Sequence, residues 1–232
     1  PYSFRCQPQV MGAVLDVLTF AGALLERECN AVSDNPLVFP EDDVVLSGGN
    51  FHAEPVAFAV DNVAIALCEI GSLSERRTAM MTDTTMSGLP AALVADAGLN
   101  SGMMVAQVTS AALVAENRMR AQPCSIDSIP TAANQEDHVS MATHGAVRLR
   151  AMAANVSRIV AIELACGAQA VDLQEPSEPS PGTRPIYDLV RTHTRFLDCD
   201  RVLGGEFEHL AKDIEAGSFV SLVPLQLTPL GA

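Results

Sequence analysis

Asn134-Gln135-Glu136-Asp137-His138-Val139-Ser140-Met141 sets an amide pair, two adjacent carboxylates, an imidazole and a hydroxyl into eight residues. A turn-rich run, Gln122-Pro123-Cys124-Ser125-Ile126-Asp127-Ser128-Ile129-Pro130, leads into it. Beyond it Val147, Leu149, Met152, Val156, Ile159, Val160, Ile162 and Leu164 recur at helical spacing, which predicts one long helix from about His138 to Val171. Dense polarity at the mouth of an apolar helix is costly unless every polar atom finds a partner. Two readings follow. Either Asn134 or Asp137 caps the helix N-terminus, or the loop is a site carried by a rigid scaffold.

Working outward, the same periodicity predicts three more elements. Val10, Val14, Val17, Leu18, Ala21, Leu24 and Leu25 mark a helix over about 10–30. Val56, Ala57, Val60, Val63, Ala64, Leu67, Ile70 and Leu73 mark another over 54–77, so sparsely charged that burial on several sides is expected. A third, over 100–122, presents Val105, Val108, Ala112, Leu113 and Ala115 on one face. Between the first two, Asn35-Pro36 bars further helix. Leu37-Val38-Phe39 and Val44-Val45-Leu46 flank Pro40–Asp43 as a short hairpin or irregular excursion. Gly48-Gly49 allows a sharp, left-handed-compatible turn, and 80–90 reads as loop. The proline-rich run 175–182 predicts an exposed linker, with shorter helices over 183–199 and 206–216. The expected class is mainly α: a long-helix bundle over 1–174 with an excursion near 37–50, a linker over 175–182 and a terminal helical segment over 183–232.

Composition excludes several classes. A net charge of -14 with a single lysine, Lys212, argues against nucleic acid or an anionic membrane surface as partner. No apolar run reaches the ~18–20 uninterrupted residues of a plain membrane span, and no basic-then-apolar leader opens the chain. Six cysteines without a CxxC pair read as reduced core residues of a cytosolic protein. The opening Pro1-Tyr2 reads as the start of a fragment of a longer protein, or of a half that pairs with another chain.

Residue by residue, chemistry competes with structure. Arg5 is either a structural ion-pair partner for Asp16 or Glu26, or a planar clamp for a carboxylate. Tyr2 is a tethered aromatic or a working phenol, and Phe51 is a core ring or a pocket wall. Glu136 is the most informative carboxylate, because a carboxyl shut away from water suits acid–base work near neutral pH. Gln135 is placed to hydrogen-bond beside it, Asp137 to brace the loop, and His138 to support it from behind. No metal is expected, since adjacent loop positions rarely converge on one ion and no HExxH spacing occurs. A Ser140–His144–Asp137 triad lacks the GxSxG elbow. Ser74-Glu75-Arg76-Arg77 reads as a helix end whose arginines face the dipole, or as an ion-pairing patch between subunits.

These words together resemble one family. The eight-residue stretch, Tyr2-Ser3-Phe4-Arg5-Cys6-Gln7-Pro8-Gln9-Val10-Met11-Gly12, Asn30-Ala31-Val32-Ser33-Asp34-Asn35-Pro36, Ser47-Gly48-Gly49-Asn50-Phe51-His52 and Ser74–Arg77 are similar, in order, to the aromatic amino-acid ammonia-lyases, and within them to the branch acting on histidine. The resemblance covers Tyr2 to about Gln174 and weakens from Glu175. It implies an aspartase/fumarase-like helical fold, a homotetramer, and elimination of ammonia from histidine to give urocanate. It implies an electrophilic methylidene-imidazolone made from an internal Ala-Ser-Gly. It assigns Arg5 to the substrate carboxylate, Tyr2 and Glu136 to catalysis, Phe51 and Gln135 to the substrate pocket, and Asn50, Asp137 and His138 to its support. Glu136 favours histidine, because an amide tends to stand there in the phenylalanine-acting members. Ser-Gly occurs here only after Leu46, Met86 and Asn100, never after Ala. The prosthetic group is therefore expected from an upstream region, and this chain alone is expected to be inactive. A non-catalytic helical assembly domain, and a phenylalanine or tyrosine lyase or aminomutase, are the alternatives.

Overall fold

The computed structural model describes residues 1–174 and 176–223. Its helices are α1 (Tyr2–Arg5), α2 (Gln7–Cys29), α3 (Glu54–Thr82), α4 (Thr84–Ser87), α5 (Met104–Arg120), α6 (Ala142–Asp172), α7 (Arg184–His193) and α8 (Gly204–Glu215). Strands β1 (Leu37–Phe39) and β2 (Val44–Leu46) form an antiparallel hairpin with Leu37 opposite Leu46.

The frame is the packing of α3 against α6. Two ion pairs fix their direction: Arg148 of α6 donates to Asp61 of α3, and Arg77 of α3 donates to Glu163 of α6. Sixteen residues separate the partners on one helix and fifteen on the other, so the helices run parallel. Gly145 permits the close approach: a Cβ there would lie 2.7 Å from both Val60 and Cys124. α5 runs back along both helices. Gln107 donates to Glu75 at 2.8 Å, and Asn117 donates to the Met152 carbonyl at 3.1 Å while accepting from Asn155 at 3.0 Å. α2 is antiparallel to α3, with Gln7 accepting from Arg77 at 2.6 Å.

The C-terminal half of α6 carries a second layer. Ala161, Ala165 and Ala168 pack on Val190 of α7 and on Leu210 and Ala211 of α8. Gln169, fully buried, donates to the carbonyls of Leu93 and Leu197 and accepts from Leu197 N–H. It thus binds two connecting segments to the frame. The proline-rich stretch is largely exposed over the described residues 176–182. The end of the predicted terminal segment, 224–232, and Glu175 lie outside the described residues.

Several expectations are corrected. α3 continues to Thr82, so Ser74–Arg77 lies inside the helix, and Arg77 is spent within the chain on Glu163 and Gln7. Gly48 and Gly49 are not left-handed; Asn35 Oδ1 accepts from Ser47 and from Gly48 N–H, and the Gly49 carbonyl accepts His52 N–H to close the turn. The buried face of α5 is Ala106, Ser110, Val114 and Asn117, because its neighbours demand small or hydrogen-bonding side chains; Val105 and Val108 point outward. All six cysteines are free, but only Cys124 and Cys166 are buried. Burial pushes the Cys166 thiol up to about 12.

By length and mean hydropathy α2, α3 and α6 each reach the range of a membrane-crossing helix. In α3 and α6 about half of the apolar window is buried in the bundle (44% and 50%), whereas α2 has only 11% covered. The outer face of α2, with Leu15 and Phe20, is therefore left uncovered among the described residues.

Burial alone would raise the Asp61 carboxyl, but hydrogen bonds from Ser125 and Cys124 outweigh it and hold the group below its ordinary range. A depressed folded-state value means that Asp61 stabilises the fold above its unfolded value of about 3.9, and that this contribution is lost as pH falls through the folded value. Asp61→Asn should cost about 3–5 kcal/mol by leaving Arg148 buried without its counter-charge. It should also flatten the loss of stability below about pH 4. Denaturant melts of both proteins at neutral and acid pH check this; parallel acid limbs would contradict it.

Candidate active site

The Asp61–Arg148 pair does more than join helices. Asp61 also accepts from the backbone N–H groups of Cys124 (3.2 Å) and Ser125 (3.0 Å). Arg148 donates to the carbonyls of Arg120 and Gln122. Both ends of this buried pair therefore grip the segment that leaves α5 and leads to residues 131–141.

That loop is strained and cross-braced. Ala132, Ala133, Asn134 and Met141 all have left-handed backbones, with φ of 46°, 56°, 67° and 53°. For residues with a Cβ this costs roughly 1–2 kcal/mol each, Asn excepted. Thr131 and Glu136 bridge in both directions, N–H to carbonyl, at 2.9 and 3.3 Å. The Thr131 hydroxyl also donates to the Glu136 carboxylate. Val139 N–H donates to Ser128 Oγ at 2.9 Å. The capping expectation fails: Met141 is the N-cap of α6 and no side chain caps it, although Ser140 Oγ accepts from Ala142 N–H at 3.4 Å. Over the described residues neither Asp137 nor Gln135 makes a side-chain hydrogen bond.

The loop meets the turn before α3. Phe51 is 54% exposed, and Asn50 holds its turn by donating to the Val32 carbonyl at 2.6 Å. His52 Nε2 lies 3.0 Å from the His138 carbonyl, and the two imidazoles stack with centroids 5.5 Å apart. Glu54 N–H, one of the free donors at the start of α3, donates to His52 Nδ1 at 3.2 Å. His52, Glu54 and His138 bring possible metal ligands within 4.8 Å of one another, a convergence that the spacing around His138 alone did not suggest. Both His52 nitrogens are already engaged in hydrogen bonds.

Tyr2 and Arg5 stand elsewhere. Arg77 and Met80, near the C-terminal end of α3, seat the α1 turn by contacts to the Ser3 carbonyl and hydroxyl. Tyr2 is 76% exposed. Arg5 is exposed and makes no ion pair among the described residues, with Asp16 or Glu26 included. From Glu54 to Arg77 is twenty-three residues of continuous helix, or about 35 Å at 1.5 Å per residue. The structure thus brings His52, next to Phe51, against His138, two residues from Glu136, and keeps Tyr2 and Arg5 at the far end of α3. His52 went unread in the sequence beyond its place in a motif; its only signal was a histidine two residues before a helix start.

The model for "Aromatic amino acid lyase" matches residues 1–192. The chain belongs to the aromatic amino acid lyase family. It is 54% identical over 225 residues to histidine ammonia-lyase of Burkholderia mallei strain NCTC 10229, covering 97% of this chain and 44% of that protein. Among solved structures, histidine ammonia-lyase from Trypanosoma cruzi superposes with a TM-score of 0.90 at 42% identity, over 97% of this chain and 46% of the other. Tyrosine aminomutase from Streptomyces globisporus reaches 0.91 at 38% identity, over 98% and 44%. The chain therefore spans a little under half the length of the relatives it matches, and the lyase fold is common to proteins of different named activity. The fold expectation of a long-helix bundle with a short hairpin holds.

Thr131→Val removes the hydroxyl that anchors Glu136. Loss of about 0.5–1.5 kcal/mol from one hydrogen bond should raise amide exchange across 131–138 by up to roughly tenfold. Hydrogen–deuterium exchange of the assembled protein reads this, and unchanged protection would contradict the bracing role.

Proposed function

We propose that this chain is the portion of a histidine ammonia-lyase that supplies the carboxylate clamp and the acid–base wall of the active site. The observation that carries the reading is the placement of Arg5 and Glu136. Each is exposed, outside any ion pair among the described residues, and set on a braced turn, yet they lie at opposite ends of α3. A strained, polar loop and an unpaired guanidinium held this way are poor stabilisers and good ligand groups.

The chain does not contain the Ala-Ser-Gly from which the family's prosthetic group is made. Two large aromatic side chains, Tyr2 and Phe51, are nevertheless 76% and 54% exposed, which suits contact with a group held by another segment or copy. When bound, that group supplies the electrophile that makes the weakly acidic β-proton removable. The chain's own residues do the rest. Arg5 grips the amino-acid carboxylate in a two-pronged contact. Glu136 accepts from the imidazole N–H or takes a proton from the ammonium, with Gln135 hydrogen-bonding beside it. The Tyr2 phenol hydrogen-bonds near the departing amine, and Phe51 walls the ring side. Asn50 holds the turn that bears Phe51, and Asp137 stands free beside Glu136 among the described residues. Ammonia and urocanate are the products, and the site closes where copies meet, in a homotetramer whose contacts cover the open apolar faces of α2 and α5.

The fold does not choose between substrates, since a tyrosine aminomutase superposes as well as a histidine lyase. Glu136 does, as the group matched to an imidazole N–H. In the full-length protein, urocanate absorbance should appear with histidine and no cinnamate or coumarate absorbance with phenylalanine or tyrosine. Arg5→Ala should weaken substrate binding by about 2–5 kcal/mol, roughly 30-fold or more in KM. Glu136→Gln should lower kcat. Equal turnover of all three amino acids, or full activity after both substitutions, would overturn the assignment; a correctly assembled but inert protein would leave a purely structural domain as the answer.

A further inference from the structure

We infer that His52 is a positioning residue: it clasps the Glu136 loop to the start of α3 and so holds Glu136 in register with Phe51. This rests on the function proposed above. The loop cannot hold itself, because Ala132, Ala133, Asn134 and Met141 are all left-handed and the bonds from Thr131 and Ser128 arise within the same connection. Among the described residues, the only side-chain hydrogen bond of 131–141 to an element besides those of His52 is the one from Ala142 N–H, where the chain itself runs on into α6, so His52 alone ties the loop to an element distant in sequence. Their chemistry is determined. Glu54 N–H donates to Nδ1, so that nitrogen is the unprotonated one. Nε2 then carries the proton and donates to the His138 carbonyl at 3.0 Å, with His138 Nδ1 beside it at 3.5 Å. The stacked His138 ring limits rotation of the pair. Phe51 precedes the clasp and Glu136 lies two residues from its acceptor, so one imidazole sets the spacing of both walls.

The test uses the full-length protein and histidine turnover. His52→Phe keeps a planar ring but loses both bonds, and should lower kcat by about 10- to 100-fold, as supporting-residue changes typically do. His52→Gln places an amide N–H where Nε2 was and should stay within about threefold of wild type. His52→Asn, which reaches only the Nδ1 position and cannot span to the His138 carbonyl, should resemble His52→Phe. In a Glu136→Gln background the cost of His52→Phe should shrink below about threefold, since residues acting through one another are not additive. If His52→Phe does not fold, the Gln–Asn contrast decides alone. An undiminished, multiplicative loss in the double variant, or equal loss in Gln and Asn, overturns the clasp. So does stoichiometric Zn²⁺ binding that His52→Gln abolishes, since a cation on His52, Glu54 and His138 would require those nitrogens. If wild type turns over no aromatic amino acid, both this inference and the function beneath it fall; if wild type is active and only the His52 pattern fails, the inference falls alone.

Discussion

Two salt bridges between parallel helices carry this structure. Parallel long helices need an element-length return between them, and here α5 and the 121–141 connection provide it. Asp61–Arg148 joins α3 and α6 near the beginning of each, and Arg77–Glu163 joins them sixteen residues later on α3. Such pairs contribute little net stability compared with apolar packing of the same volume, but each is costly to break from one side. Their value here is register. A slip of one helical residue would part both pairs and bring a residue with a Cβ to where Val60 and Cys124 leave room only for Gly145.

Each pair also holds a piece of chemistry. Asp61–Arg148 grips the segment feeding the Glu136 loop, and Arg77 seats the turn that bears Tyr2 and Arg5. The rigid rod between them keeps these pieces about 35 Å apart in one chain. In the proposed assembly, the far end of one rod would meet the near end of another, which would bring the two pieces into one pocket. The exposed apolar faces of α2, α5 and the hairpin would be the seams of that proposed assembly.

Much of this was legible in the sequence. The periodic faces of α2 and α3, and both strands of the hairpin, fall where alternation and turn residues place them. α5 was misread because Val105 and Val108 look like core, whereas the bundle buries Ala106, Ser110 and Asn117 against crowded neighbours; hydrophobicity signals what wants covering, not which partner covers it. Gly48-Gly49 allows a left-handed turn that the structure does not use; the side chain of Asn35 supplies the closure. The candidate site residues were named as a group through family resemblance. Their division into two distant clusters was not legible, because no local pattern encodes the length of α3 between them, and the role of His52 depends on a contact across eighty-six residues.

The central claim is that the Arg5 half and the Glu136 half of one pocket come from different copies. The direct measurement mixes two full-length variants, Arg5→Ala and Glu136→Gln, each nearly inactive alone, by unfolding and reassembling them together at equal amounts. If the halves come from different copies, about a quarter of the pockets in random mixed assemblies receive an intact residue from each, and urocanate formation returns to roughly that fraction of wild type. If both residues serve a pocket from the same copy, every pocket keeps one defect, no activity returns, and the account is wrong.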